Sequence, residues 1–316
     1  MTQATTNSGQ TLFDRILMVD WSAANKPVTG ANSIWIAEAN LLNANGRLTK
    51  KSRPPINIST REQAVQHIKA RIGDAIDANK RIFVGVDFPF GYPAGAAALF
   101  TGTATWRSLW RWIAENIVDN DDNTSNRFEV AAKANASLKD KVGPFWANAS
   151  KTDYEGLTRK KTAFPFERPR ERRVVEEHVR STKTVWQLAG AGSVGSQALL
   201  GIARLEHLRR AFSTRCAVWP FDTQFTDKMN KFSIVFGEVY PSIFAIKRRE
   251  NEPLDAAQVR TVANALATAD MTGVLCKWLS APACLRAPEK KTVIREEGWI
   301  VGVGHTEADS GVSVFR

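Results

Sequence analysis

Cysteine is scarce: Cys216, Cys276 and Cys284 are the only three in 316 residues, and no CxxC pair occurs. Too few and too scattered for a disulfide framework, they imply a reducing compartment and read as fillers of core space. The four histidines (His67, His178, His207, His305) are dispersed and show no zinc-ligand spacing, which argues against a histidine-built metal centre. No run of 18 apolar residues occurs, so no membrane-spanning helix is expected. The polar start MTQATTNSGQ lacks the basic and apolar regions of a secretion signal. No internal repeat or low-complexity tract is evident. A soluble, cytoplasmic protein is the expectation.

What is present is core material and positive charge. Hydrophobic residues make up 43% of the chain, and 43 basic residues against 32 acidic ones leave a net charge of +11. A polyanionic partner fits that balance, and so does a merely basic soluble protein.

Two apolar runs each end in an aspartate: RILMVD, closing on Asp20, and RIFVGVD, closing on Asp87. Neither has a proline or a charge in its middle, so each reads as a strand buried on both faces. By strand alternation Asp20 shares a face with Ile16 and Met18, and Asp87 shares one with Phe83 and Gly85. Two ionised carboxylates held at a sheet rim repel each other unless a cation sits between them. Capping of the loop that follows is the plainer role for either aspartate. Their pairing points to a metal site.

Two more acids extend the set. Glu238 ends the run FSIVFGEVYP in register with Phe232, Ile234 and Phe236, and a metal or a buried Arg or Lys would satisfy it equally. Asp255 precedes the helical stripe Val259, Val262 and Leu266 by one turn. It is either a ligand or the N-cap of its own helix, because Asp-Ala-Ala-Gln has capping-box spacing. Asp270, at the far end of that stripe, is a weaker candidate.

Two other motifs compete for function. RKKTAFPFERPRERR, residues 159–173, interleaves Phe164 and Phe166 with cations, a composition suited to stacking on bases and holding phosphates. Its candidate substrate contacts are Lys160, Lys161, Arg168, Arg170, Arg172 and Arg173; a solvated loop paired to its own glutamates is the simpler reading. GAGSVG, carrying Gly190, Gly192 and Gly195, matches the dinucleotide fingerprint and precedes a helix. The acid beyond it, Asp222, lies further on than a ribose-binding residue normally does, so a plain glycine loop before a helix is favoured over a nucleotide-cofactor enzyme.

The order of elements predicts an α/β domain over residues 12–304: hairpin strands, a helix capped at Ser59 or Thr60 with its stripe on Ala64, Ile68, Ile72 and Ile76, then the Asp87 strand. A long insertion or lid follows at about 99–188. After it come a helix over 198–212, a strand over 231–240 and a helix over 255–270. Residues 1–11 and 305–316 are expected to be flexible termini. This is the ribonuclease H-like layout, a mixed sheet flanked by helices in which acids from the first strand, the fourth strand and a C-terminal helix converge.

The motifs VDWSAA, VGVDFPFGYPAG, GSVGSQALLGI, GEVYPS and EEGWIVGV, in that order, resemble the uncharacterised family of predicted nucleases of ribonuclease H-like fold (domain of unknown function 429). The resemblance implies that Asp20, Asp87, Glu238 and Asp255 occupy the family's acidic positions and that the glycine loop is structural. Where such proteins often carry a second aspartate on the last helix, this chain has Gln258; Glu296 or Glu297 could supply a substitute. Some similar proteins carry a molybdopterin guanine dinucleotide synthesis label, for which these residues offer no argument. The expected activity is metal-dependent phosphodiester hydrolysis of nucleic acid or a nucleotide. Asp20 and Asp87 would bridge two Mg²⁺ or Mn²⁺ ions and the other two acids would complete the shells. A non-catalytic nucleic-acid or partner-binding protein with a weakened site is the alternative.

Overall fold

The computed structural model describes residues 11–44, 47–138, 143–161, 169–226 and 228–305. Among these, the apolar runs assemble one mixed sheet from β1 (Arg15–Asp20), β2 (Ile34–Ala44), β3 (Arg47–Ser52), β4 (Ile56–Ile58), β5 (Ile82–Val86), β6 (Cys216–Val218) and β7 (Ile234–Glu238). The spatial order is β3-β2-β1-β5-β7-β6, with β4 also pairing with β2. β2 runs antiparallel to β1, β3 and β4, whereas β1, β5, β7 and β6 are mutually parallel. The carboxyl ends of β1, β5 and β7 therefore point the same way, and that edge of an α/β sheet is where ligands bind.

Helices cover both faces: α1 (Arg61–Asp77), α2 (Ala96–Thr101), α3 (Trp106–Asn116), α4 (Arg127–Asn135), α5 (Val174–His178), α6 (Gly195–Ala211), α7 (Leu254–Met271), α8 (Val274–Trp278) and α9 (Ala287–Thr292). α9 runs on into a π-turn, Val293–Glu297. Thr60 caps α1 by accepting the N–H of Gln63, and Ala64, Ile68 and Ile72 are buried on its apolar face. On one side of the sheet Leu17, Val19, Val84, Val86 and Phe236 pack with residues of α1, α3 and α6. On the other, Ile16, Met18, Phe83 and Val235 pack with Val259, Val262 and Leu266 of α7. Burial of each such side chain is worth roughly 1.5–3 kcal/mol, so β1 and β5 are held rigidly from both faces. The polar rim positions at their ends are fixed with them.

Residues 99–188 contribute to the same core: Trp106, Leu109, Trp110, Val130, Phe145 and Trp186 all pack in the α1/α6 layer. Of the three cysteines only Cys216 is buried; Cys276 and Cys284 lie on the surface, so core filling explains one of them. No helix among the described residues is long and apolar enough to cross a membrane.

The loop that follows Asp87 is pinned by close backbone approach. A β-carbon on Gly91 would collide with the carbonyl oxygens of Glu296 and Glu297. Gly91→Ala is therefore expected to cost about 2–4 kcal/mol, since backbone must move to make room. Gly73 on α1 has open space around it, so Gly73→Ala should instead gain up to about 1 kcal/mol. Thermal melts of the two variants, moving in opposite directions, test the distinction.

Candidate active site

At the carboxyl ends of the parallel strands lies a cavity of about 530 Å³ lined by Asp20, Asp87 and Asp255, by the glycine loop, and by Tyr240 and Pro241. Asp20 is the last residue of β1 and Asp87 the first after β5. The register pairs Met18 with Gly85 and Val19 with Val86 on adjacent parallel strands, which sets the two aspartates side by side. Both carboxylates keep some contact with the cavity yet are otherwise enclosed by protein atoms.

The two carboxyl groups are close enough to hydrogen-bond to each other when one of them is protonated. Burial, above all, holds the Asp20 carboxyl well above its usual range, and the charges of Asp87 and Asp255 add to the shift. Burial also pushes Asp87 up to about 6, against the opposing effect of hydrogen bonds from Asp20 and from the backbone. One Asp87 oxygen, Oδ1, accepts the Trp21 N–H at 2.7 Å. The loop supplying that N–H is itself braced: buried Arg61 donates to the carbonyls of Ser22 (3.2 Å) and Ala24 (2.7 Å) while pairing with Asp119 at 2.6 Å. Gln197 of α6 donates to the Trp21 carbonyl at 2.5 Å. An arginine in the first turn of a helix reads in sequence as a solvated residue, and nothing local marks Arg61 as a buried brace.

Asp255 does not cap its helix. Pro253 is the N-cap of α7, with no side-chain cap bond. The Asp255 Oδ2 atom instead accepts the Asn32 N–H across the cavity wall at 3.0 Å. Gln258, one turn on, lines the same cavity. Asp270 is an anchor, its carboxylate accepting the N–H groups of Leu12 (2.7 Å) and Phe13 (2.9 Å) at the start of β1.

Glu238 lines the same cavity but departs from the expected ligand set. It shares parity with Ile234 and Phe236, on the α1/α6 face, whereas Asp20 and Asp87 share parity with Met18 and Phe83 on the α7 face. Its oxygens are already engaged: Arg173 donates to both, at 2.6 and 2.8 Å, and Phe90 N–H donates to Oε2 at 2.9 Å. The arginine that could satisfy Glu238 is thus the one present. Nor do Glu296 and Glu297 replace the missing carboxylate. Glu297 accepts the N–H groups of Ala94 (2.8 Å) and Val174 (2.6 Å), and Glu296 accepts that of Gly95 at 3.0 Å. Among the described residues no three His, Cys, Asp or Glu side chains form a group able to hold a metal ion. The four-carboxylate, two-ion cage expected from sequence is not assembled.

The basic run is also redistributed. Arg173 is buried and spends its donors on Glu176 (3.0 Å), Glu238 and the Glu297 carbonyl (2.9 Å), which leaves it unsuited to phosphate. Arg172 donates to the Thr182 carbonyl at 3.2 Å, Lys161 pairs with Glu171, and Arg170 stands 3.8 Å from Glu177. Lys160 is exposed, and Arg168 lies outside the described residues. Of the five described among these cations only Arg173 touches the cavity. Among the described residues of the run, Lys161 and Arg170 fit a loop paired to its own glutamates.

The glycine loop lacks the strand that a dinucleotide fold requires before it. Gln187 makes only an isolated bridge with Trp146, and Asp222 is engaged elsewhere, accepting the Val218 N–H (2.9 Å) and pairing with Arg107 of α3. Even so, Gly190, Gly192, Ser193 and Val194 line the aspartate cavity, and so does Lys183. No sequence pattern marks Lys183, a lone lysine in a polar stretch.

No protein-family model, curated protein or solved structure matches the chain.

Proposed function

We propose that the protein is a divalent-cation-dependent phosphoester hydrolase whose centre is the Asp20–Asp87 pair. The observation that carries the reading is the pair itself: two carboxyl groups side by side at the ends of adjacent parallel strands, lining one cavity. A hard cation relieves that repulsion better than a proton does, and an all-oxygen donor set favours Mg²⁺ or Mn²⁺. Two carboxylates with water and a substrate oxygen suffice for one such ion, so the reading needs neither Glu238 nor a second ion. Convergence of Asp20 from the first strand, Asp87 after a central strand and Asp255 from a late helix on one cavity supports the ribonuclease H-like assignment.

When bound, the ion supplies positive charge to a phosphate oxygen and acidifies a water. Asp20 and Asp87, both ionised, would hold it. Asp255, with one oxygen on the Asn32 N–H, accepts the proton of the attacking water. The water oxygen bonds to phosphorus as the phosphorus–oxygen bond to the leaving group breaks, and the leaving oxygen takes a proton from solvent. The test is hydrolysis of DNA, RNA and dinucleotides with Mg²⁺ or Mn²⁺. Wild type should turn over at least one of them only with the ion, and Asp20→Asn should lose at least about a hundredfold. Wild-type inactivity on all three would sink the reading.

Gln258 offers a gain-of-function check. Gln258→Asp adds a carboxylate to the cavity wall, and Mn²⁺ affinity measured by titration calorimetry should rise about tenfold or more. Unchanged affinity would mean that this wall does not face the ion.

A further inference from the structure

The chain carries +11 overall, yet the cavity is acidic. Its lining holds five acids (Asp20, Asp87, Glu176, Glu238, Asp255) against two cations, Arg173 and Lys183. Arg173 is spent on Glu176 and Glu238. Lys183 is exposed at the wall and forms no ion pair among the described residues. A nucleic-acid strand crossing such a site needs several cations along its path, and flanking phosphates would meet carboxylates instead. The exposed Lys160 and Arg170 lie off the cavity.

Lys183 and the glycine loop form one feature. A β-carbon on Gly192 would sit 3.4 Å from the Cγ and Cε atoms of Lys183, so the lysine stem lies along the bare backbone of that glycine. Gly190 and Gly192 have φ of +97° and +69°, a conformation that keeps side chains off this wall. Tyr240, Pro241 and Ile300 provide an apolar stretch in the same lining. A volume of about 530 Å³ suits one small organic molecule.

Building on the phosphoester reading, we infer that the substrate is a single nucleotide-sized phosphoester and not a nucleic-acid strand. Its phosphate is held by the Lys183 ammonium beside the glycine loop, and its organic part lies against Tyr240 and Pro241. The acid pair lines the same cavity.

The experiment is calorimetric titration of the full chain with adenosine 5′-monophosphate in the presence of Mn²⁺, beside fluorescence anisotropy with a labelled single-stranded RNA. Saturable one-to-one binding of the nucleotide is expected, weakened about tenfold or more by Lys183→Ala. Gly192→Val, which forces a branched side chain into a left-handed position against the lysine, should remove it. The triple variant Lys160→Ala, Lys161→Ala, Arg170→Ala should bind the nucleotide as wild type does. RNA binding tighter than nucleotide binding, steep in salt and lost in the triple variant, would overturn the inference. So would absent nucleotide binding, or binding indifferent to Lys183→Ala. Lys183-dependent nucleotide binding by a protein that hydrolyses no phosphoester would retire the catalytic reading alone and leave the ligand class standing.

Discussion

Asp87→Asn should melt several degrees above wild type near neutral pH without divalent cations, and should lose its response to Mg²⁺ or Mn²⁺. In the folded state Asp87 titrates at about 6, against 3.8 for the unperturbed group. Between those values the native state holds more protons than the unfolded chain, so native stability falls as pH rises through the window. Above about pH 6 the loss is complete. At 1.36 kcal/mol per pKa unit, the ionised Asp87 costs the cation-free protein up to about 3 kcal/mol. The asparagine removes that cost, while its own oxygen can still accept the Trp21 N–H. Wild type should recover the difference by binding the ion, gaining about 2.7 kcal/mol at a hundred times the dissociation constant. Thermal melts across pH 4 to 8, with and without millimolar Mn²⁺, measure all of this. A variant destabilised equally at every pH would show that the carboxylate serves only as a hydrogen-bond acceptor.

Arg173→Met is expected to be the most damaging single change, costing about 3–5 kcal/mol. The guanidinium is 1% exposed and joins three segments: α5 through Glu176, the end of β7 through Glu238, and the π-turn through the Glu297 carbonyl. Removing it strands two buried carboxylates; burial already holds Glu176 above its ordinary range even with Arg173 beside it. A shape-matched apolar side chain does not relieve that charge, but protonation does. The deficit in a urea melt should therefore be large at pH 7 and smaller at pH 5, where the stranded carboxylates take up protons. Glu176→Gln and Glu238→Gln in the Arg173→Met background should restore part of the stability at pH 7. A deficit independent of pH would assign the loss to packing instead.

Much of the scaffold was legible from periodicity. The runs ending in Asp20 and Asp87 become adjacent strands buried on both faces, the strand expected over 231–240 becomes β7, and the stripe Val259, Val262, Leu266 becomes the buried face of α7. These succeed because the strand and helix repeats are properties of the local chain. What failed were statements about partners. Glu238 reads in sequence as a ligand and Arg173 as a phosphate contact, yet they bind each other across 65 residues of chain. Parity along β7 places Glu238 on the face opposite the aspartates, which becomes visible only when its register against β5 is known. The short elements β4, β6 and α8 carry too few residues to show a period at all.

The sequence by itself determined where the strands lie, that two of them end in aspartate, and which stripe of the last long helix is buried. Each follows from apolar spacing over a handful of neighbouring residues. Only the tertiary structure decided which acids meet: Asp20 with Asp87, Asp255 turned toward Asn32, Glu238 neutralised by Arg173. It also set the glycine loop and Lys183 on the wall of the same cavity. A charge finds its partner through strand register and the crossing of distant segments, and no local repeat in the chain encodes that meeting.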